Sequence, residues 1–289
     1  MVNIDFQKIK KPFIIAEAGI NHNGNLETAY NLVDSAKTNG ADAIKFQTYK
    51  TEKRIERKYK KIFEILKKCE LTFRDFLKIK NYCKSKKIIF FSTPFDEESV
   101  DFLESIKVPF YKIASFDISN FQLIRKIIKT KKPTIVSTGM ATLKEINKIY
   151  NIYRSKKIKL SFLHCISSYP NEDKSSYLSN ITFLQKKFNC AIGISDHTND
   201  IKIPIYGTIL GAKIIEKHIK LNHKHKCVDS SVSITGNQLK NLRTEVDKIV
   251  RIVNIPLFGT RPEEKKSKVF KRKKIYKWYK LKPTIEDFD

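Results

Sequence analysis

Apolar, β-branched or aromatic runs recur along the chain: "FIIAEA" (residues 13–18), "DAIKFQT" (42–48), "IIFFST" (88–93), "FYKIAS" (110–115), "PTIVST" (133–138), "KLSFLHC" (159–165), "CAIGIS" (190–195) and "KIIEKHI" (213–219). Between them lie amphipathic stretches such as "LETAYNLVDSAKTNG" and "FRDFLKIKNYCKSK", with apolar residues at i, i+3 and i+4 and Gly or Lys-rich stops. Strands alternating with helices predict a parallel sheet, and eight such units predict an α/β protein closed as a (β/α)8 TIM barrel. A further helical pattern over residues 235–253 would be the last barrel helix. The barrel domain is therefore expected over residues 1–255. A short basic extension over 256–289 follows, too short for a domain of its own.

Composition changes this picture little. With 41% hydrophobic and 30% charged residues the chain reads as a soluble globular protein, and no apolar run approaches the ~18 residues of a membrane span. The first residues lack an apolar signal core, so a cytoplasmic location is expected. Five scattered cysteines without CxxC spacing argue against a disulfide framework or a zinc knuckle. The net charge of +27 would ordinarily raise nucleic acid as a partner. The lysines are instead spread over nearly every predicted helix with no recognition motif beside them, so neither nucleic acid nor membrane is expected as a partner. A positive field would still hasten capture of an anionic substrate.

Functional groups of such barrels gather at the carboxyl ends of the strands. Here those ends carry Glu17; Lys45 and Gln47; Thr93; Lys112, Ser115 and Asp117; Ser137 and Thr138; His164 and Tyr169; Ser195, Asp196 and His197; and Glu216 with His218. Ionisable residues in core strands are costly without mutual pairing or a charged ligand, which points to a site for an anionic, hydroxyl-rich substrate. His197 and His218 end neighbouring strands and could share a metal ion, although on spacing alone a satisfied core or loop histidine is the commoner case. Glu216, two residues before His218, faces the same way as a further ligand or a base. Lys112 and Lys45 suit phosphate or carboxylate contacts. Cys165 reads as packing, and the serines as hydroxyl donors, since no nucleophile elbow surrounds them.

Taken together, "AEAGINHNG", "AIKFQTY", "FFSTPFD", "YKIASFD", "TIVSTGM", "LHCISSYP", "IGISDHT" and "IIEKHI" resemble the sialic acid synthases over residues 13 to 235. That family condenses phosphoenolpyruvate with an N-acetylated hexosamine to give a nonulosonic acid and phosphate. The resemblance implies that Glu17 contacts the hexosamine near its reacting carbonyl, that His197 and His218 hold a divalent cation (Mn²⁺ or Mg²⁺), and that Lys112, Thr93, Ser115, Ser137, Ser195 and Tyr169 contact phosphoenolpyruvate. Lys45, Gln47 and Asp229 match sugar-side or site-lining positions. Asp117 stands where the bacterial enzymes often have glutamate, and Ser167 where they can have asparagine. Typical members also form homodimers and continue into an antifreeze-like domain that supplies an arginine to the sugar. The stub "IYKWYKLKPTIEDFD" looks like that domain's opening strand, so the expectations are a separate antifreeze-like partner, a different way of holding the sugar, or an impaired enzyme.

The mechanism this implies joins C3 of phosphoenolpyruvate to the aldehyde carbon, with Glu17 or Glu216 managing the proton and phosphate leaving by C–O cleavage. The rivals are a synthase for another 3-deoxy-ulosonic acid, a pyruvate aldolase forming a Schiff base on Lys112 or Lys45, and a basic binding protein built on a dead barrel.

Overall fold

The computed structural model describes residues 4–253 and 258–271. Eight parallel strands follow the predicted runs: β1 (Phe13–Gly19), β2 (Ala43–Thr48), β3 (Ile89–Pro94), β4 (Tyr111–Ile113), β5 (Thr134–Ser137), β6 (Leu160–His164), β7 (Ala191–Asp196) and β8 (Ile214–His218). They are ordered β3-β2-β1-β8-β7-β6-β5-β4, with β3 and β4 side by side to bring the sheet round into a (β/α)8 barrel. The helices are α1 (Leu26–Thr38), α2 (Thr51–Arg54), α3 (Lys60–Cys69), α4 (Phe73–Ser85), α5 (Glu97–Ser105), α6 (Phe121–Lys129), α7 (Leu143–Ser155), α8 (Ser179–Lys187), α9 (Lys202–Ile209) and α10 (Gly236–Ile252). Side-chain caps fix where several of them begin. Asn25, Asp96 and Asn120 each accept from a backbone N–H of the first turn, and Thr72 and Thr142 form reciprocal capping boxes with Asp75 and Glu145.

Alternation along the strands sorts side chains into two layers. One set packs outward against the helices: Ile14, Ala16, Ile44 and Phe46, with Val136, Phe162, Ile192 and Ile215. The other set, Ile15, Ala43, Phe91, Phe110, Ile135, Leu163, Ala191 and Ile214, fills the interior. Phe6 closes the floor, edge-on to Phe13 and Phe110 with ring centroids 5.2 and 5.3 Å away. Burying these groups is what holds the barrel shut at its amino-terminal end. Polar interior residues are thereby confined to the opposite end.

Two details depart from the expected pattern. β4 is shorter than the run at 110–115 because Ser115–Asp117 turns into a 3-10 helix, with Asp117 N donating to Ala114 O at 3.0 Å. Between β2 and β3 the chain also makes an extra turn, α2, which the apolar pattern did not signal. Two compact units divide the chain, residues 1–252 and 253–289. The described part of the second holds 3-10 turns at Pro262–Glu264 and Ser267–Phe270. The expected strand at 275–289 lies outside the described residues. Among the described residues no helix is long and apolar enough to cross a membrane.

Candidate active site

Register decides which side chains meet. Glu17 lies level with Lys45 on β2, and its Oε2 is 2.7 Å from the lysine Nζ. Lys45 also reaches along β3 to donate to Thr93 Oγ1 at 3.0 Å. Ser195 on β7 is level with Glu216 on β8 and donates to its Oε1 at 2.9 Å. Lys112 on β4 donates to Ser137 Oγ on β5 at 2.6 Å. Glu216 stands between the two lysines, 3.6 Å from Lys45 Nζ and 3.6 Å from Lys112 Nζ. The result is an alternating row, Glu17, Lys45, Glu216, Lys112, at the carboxyl ends of four strands, with Thr93, Ser137 and Ser195 joining it from three more.

All four charged residues are at most 4% exposed, so pairing is what makes their burial tolerable. Burial pushes the Glu17 carboxyl up, with Lys45 opposing and Glu216 adding to the rise. Burial also opposes ionisation of Glu216, but Lys112 and Lys45 outweigh it and leave the carboxyl below its ordinary value. Lys112 is held below the usual lysine range by burial, against the pull of Glu216. With Glu17 biased toward its neutral form and Glu216 ionised, the row carries a net positive charge. That is the sign a phosphate or carboxylate requires.

Beside Lys112 a small cradle of donors forms. Ser115 Oγ accepts from Gly139 N at 3.1 Å and lies 3.0 Å from Cys165 Sγ. A side chain at Gly139 is excluded, because a Cβ there would lie 2.4 Å from Ser167 Oγ and 2.8 Å from Ser115 Oγ. Ser167 Oγ is itself buried and has no hydrogen-bond partner among the described residues. Cys165, read from sequence as packing, is buried but touches this cradle.

The histidine pair stands on the other side. His197 Nδ1 contacts Ile166 O at 2.8 Å, which places the proton on Nδ1 and leaves Nε2 as an acceptor, 2.9 Å from Tyr169 OH. The rings of His197 and His218 are 5.6 Å apart between centroids. His218 Nδ1 is buried without a hydrogen-bond partner among the described residues and lies 3.4 Å from Asp229 Oδ2. Burial holds both imidazoles below their usual value, the neutral form a metal requires. The unpartnered His218 Nδ1 and the His197 Nε2 lone pair are the atoms through which the two imidazoles would hold a divalent cation. No group of three or more His, Cys, Asp or Glu residues among the described residues is spaced to hold an ion. Remaining ligands would have to come from substrate and water. Asp229 is fixed by Asn21, whose Oδ1 accepts from Asp229 N at 2.9 Å while its amide donates to Ile219 O and Ser233 Oγ. Burial raises the Asp229 carboxyl to about 6, against Arg54 and Lys45.

Gln47 and Asp117 complete the mouth. Gln47 Nε2 points at Glu17 Oε1 at 3.5 Å, and Asp117 Oδ1 accepts from Asn120 Nδ2 at 3.0 Å. Burial raises Asp117, with Asn120 and then Arg54 opposing. Arg54 was not among the residues expected from sequence. It ends α2, donates to Gln47 Oε1 at 2.9 Å and lies over the Phe95 ring at 3.7 Å. Nothing in the pattern "TEKRIERK" marks that arginine off from its charged neighbours. Lys217 was missed as well. It is fully buried on the outer face of β8, with its Nζ 2.5 Å from Asp196 Oδ2, and the two partners immediately precede His218 and His197 in sequence.

The NeuB family's sequence profile matches residues 32–254. The chain belongs to the NeuB family. It is 34% identical over 283 residues to the N,N'-diacetyllegionaminic acid synthase of Campylobacter jejuni, covering 92% of this chain and 85% of that protein. It is 37% identical over 250 residues to the pseudaminic acid synthase of the same organism, covering 82% and 73%. A crystal structure of N-acetylneuraminic acid (sialic acid) synthetase from Leptospira borgpetersenii in complex with citrate superposes with a TM-score of 0.87 at 36% identity, over 90% of this chain and 92% of that one. As a NeuB-family member the chain is an enzyme of the sialic acid synthase type. Glu17, Lys45, Thr93, Lys112, Ser137, Ser195, His197, Glu216 and His218 face into the barrel mouth, whereas Thr138, His164 and Asp196 alternate outward, His164 contacting Ser176 O at 2.7 Å and Asp196 pairing with Lys217.

Proposed function

We propose that this chain condenses phosphoenolpyruvate with an N-acetylated hexosamine, releasing phosphate and a nonulosonic acid. The observation that carries the reading is the Glu17, Lys45, Glu216, Lys112 row next to two neutral histidines. A site with paired lysines, clustered hydroxyls and two adjacent imidazoles suits a small dianion beside a polyol. The relatives named for legionaminic, pseudaminic and N-acetylneuraminic acid synthesis support the same class.

In this reading Lys112, Ser137, Ser115 and the Gly139 N–H bind phosphate and carboxylate, with Thr93, Ser195 and Tyr169 along the same face. Lys45 neutralises the carboxylate end and keeps Glu17 aimed at the acceptor carbonyl. The enol face is thus held within bonding range of the aldehyde carbon. C3 of phosphoenolpyruvate bonds to that carbon, water adds at C2, and phosphate departs with its bridging oxygen. Glu17, biased toward its protonated form, is placed to supply the proton of the new hydroxyl, and Glu216 to take one from the water. Gln47, Asp117, Ser167 and Asp229 line the acceptor side. A divalent cation, Mn²⁺ or Mg²⁺, held by His197 and His218 would supply Lewis-acid polarisation of the aldehyde.

A pyruvate aldolase on Lys112 draws some support from the lowered basicity of that amine. Against it, Glu216 and Ser137 both engage the Nζ, and an anionic neighbour favours its charged, non-nucleophilic form. The test is phosphate release from phosphoenolpyruvate across a panel of N-acetylated hexosamines with Mn²⁺ added, alongside borohydride trapping with pyruvate. Hexosamine-dependent phosphate release without trapping supports the reading. A trapped lysine adduct with no phosphate release overturns it.

A further inference from the structure

Arg54 stands at the mouth beside Gln47, outside the charged row. The turn that carries it is pinned at several points, and none of them is part of the charged row. Lys50 N donates to Asp96 Oδ2 at 2.8 Å, and Thr51 donates through its N and Oγ1 to Glu70 Oε2 at 3.0 and 2.7 Å. Tyr49 OH donates to Leu66 O at 2.9 Å. The guanidinium lies 3.7 Å over Phe95 and 4.6 Å over Tyr49, so its plane is fixed by aromatic faces. Such an investment of anchors in a short turn is more than a solvated arginine needs.

What the guanidinium then does is orient an amide. It donates to Gln47 Oε1 at 2.9 Å, which commits the other end of that carboxamide, Nε2, to face Glu17 Oε1 at 3.5 Å. A free glutamine could flip and withdraw the N–H it offers to the Glu17 carboxyl oxygen. Of the five N–H groups a guanidinium carries, a single bond to Gln47 accounts for one, and no other is hydrogen-bonded among the described residues. Glu17, Asp117 and Asp229 all lie near enough to act on its charge. Asp117 and Asp229 stand beside Arg54, so the acceptor side of the mouth offers donors and acceptors together, with less positive charge than the row around Lys112. That environment matches a neutral, oxygen-rich molecule better than a second anion.

We propose that Arg54 is a positioning and acceptor-selecting residue: it locks the Gln47 carboxamide with its NH2 toward Glu17 and directs its remaining N–H groups to the oxygens of a neutral N-acylated sugar. This rests on the reading of the acceptor given above. The experiment therefore has two arms, one of which does not depend on turnover. In the first, the Gln47 side-chain NH2 resonances of ¹⁵N-labelled protein are assigned with a Gln47→Glu control and compared in wild type, Arg54→Lys and Arg54→Met. A locked amide gives a widely split, slowly exchanging proton pair in wild type that collapses toward solvent-averaged values in Arg54→Met. In the second, steady-state kinetics with N-acetylmannosamine and calorimetric binding of phosphoenolpyruvate are measured on the same proteins. Loss of a charge-assisted donor predicts a KM for the sugar raised about ten-fold or more in Arg54→Met, partial recovery in Arg54→Lys, and phosphoenolpyruvate affinity within about two-fold of wild type. Unchanged Gln47 resonances in Arg54→Met overturn the positioning role whether or not the enzyme turns over. Changed resonances with an unchanged sugar KM overturn the selecting role. If wild type turns over no hexosamine, the reading of the function fails, and the resonances alone decide the role of Arg54.

Discussion

Single side chains at the mouth have unequal parts in the account, and Lys112 carries most of the donor-side charge. Replacing it by methionine keeps a similar volume but leaves Glu216 short of one partner and a bound dianion without its nearest cation. Lys112→Met is expected to lose about 100-fold or more in phosphoenolpyruvate affinity, as charge-assisted bonds of this kind are worth several kcal/mol when buried. Calorimetric titration reads this directly, and wild-type binding would make Lys112 structural. His22 belongs to the loop after β1 and does different work. Its Nδ1 accepts from Gly24 N at 3.1 Å, and burial lowers its pKa to about 4. Below the unfolded-state value near 6.5 the unfolded chain binds a proton there that the folded chain refuses, so stability is complete above that pH and falls as pH drops toward 4. The slope from this one residue approaches about 1.4 kcal/mol per pH unit. Urea unfolding of His22→Asn between pH 7 and 4.5 is expected to show a shallower dependence than wild type, whatever its overall stability. An identical slope in both would show that His22 is not held neutral by burial.

At the scale of elements, the ends of β7 and β8 present both histidines, and the pair behind them sets their pose. Alternation sends Ser195 and His197 inward and Asp196 outward, as it sends Glu216 and His218 inward and Lys217 outward. Asp196 and Lys217 are level in the ladder, and Lys217 Nζ also reaches Thr198 O at 2.5 Å. Thr198 Oγ1 donates to Asp196 Oδ2 at 2.8 Å. Lys217→Met would strand the Asp196 charge in the strand–helix layer, at a cost of about 3–5 kcal/mol. The expected readout is a matching drop in unfolding free energy together with weaker Mn²⁺ binding. A variant as stable as wild type would mean that the pair is dispensable. The eight strands were legible because β-branched runs are punctuated by amphipathic helices, and the inward charged positions because they break that pattern. Lys217 was not, since a lysine facing the helices looks like any snorkelling lysine until the register supplies Asp196. Arg54 was not, since it depends on a turn with no periodicity and on an aromatic partner 41 positions away in sequence, at Phe95. β4 was drawn too long because Ser115 continues an extended pattern that the 3-10 turn interrupts only through local hydrogen bonding.

Over the whole molecule, an apolar floor closed by Phe6 and a charged mouth divide stability from chemistry along the barrel axis. The chain's charge of +27 adds a long-range field that favours an anionic substrate. Capture of phosphoenolpyruvate should accordingly slow with added salt more than its bound lifetime changes, a split that stopped-flow association rates at two ionic strengths resolve. The homodimer and the separate antifreeze-like partner implied by resemblance are tested by light scattering and by co-purification. The condensation itself is tested most directly with phosphoenolpyruvate carrying ¹⁸O in its bridging position, incubated with the hexosamine that supports turnover and Mn²⁺. The account predicts released phosphate that retains the ¹⁸O label, together with a product whose mass is that of the sugar plus the three-carbon acid. Unlabelled phosphate, or label left in pyruvate with the sugar unchanged, would contradict it.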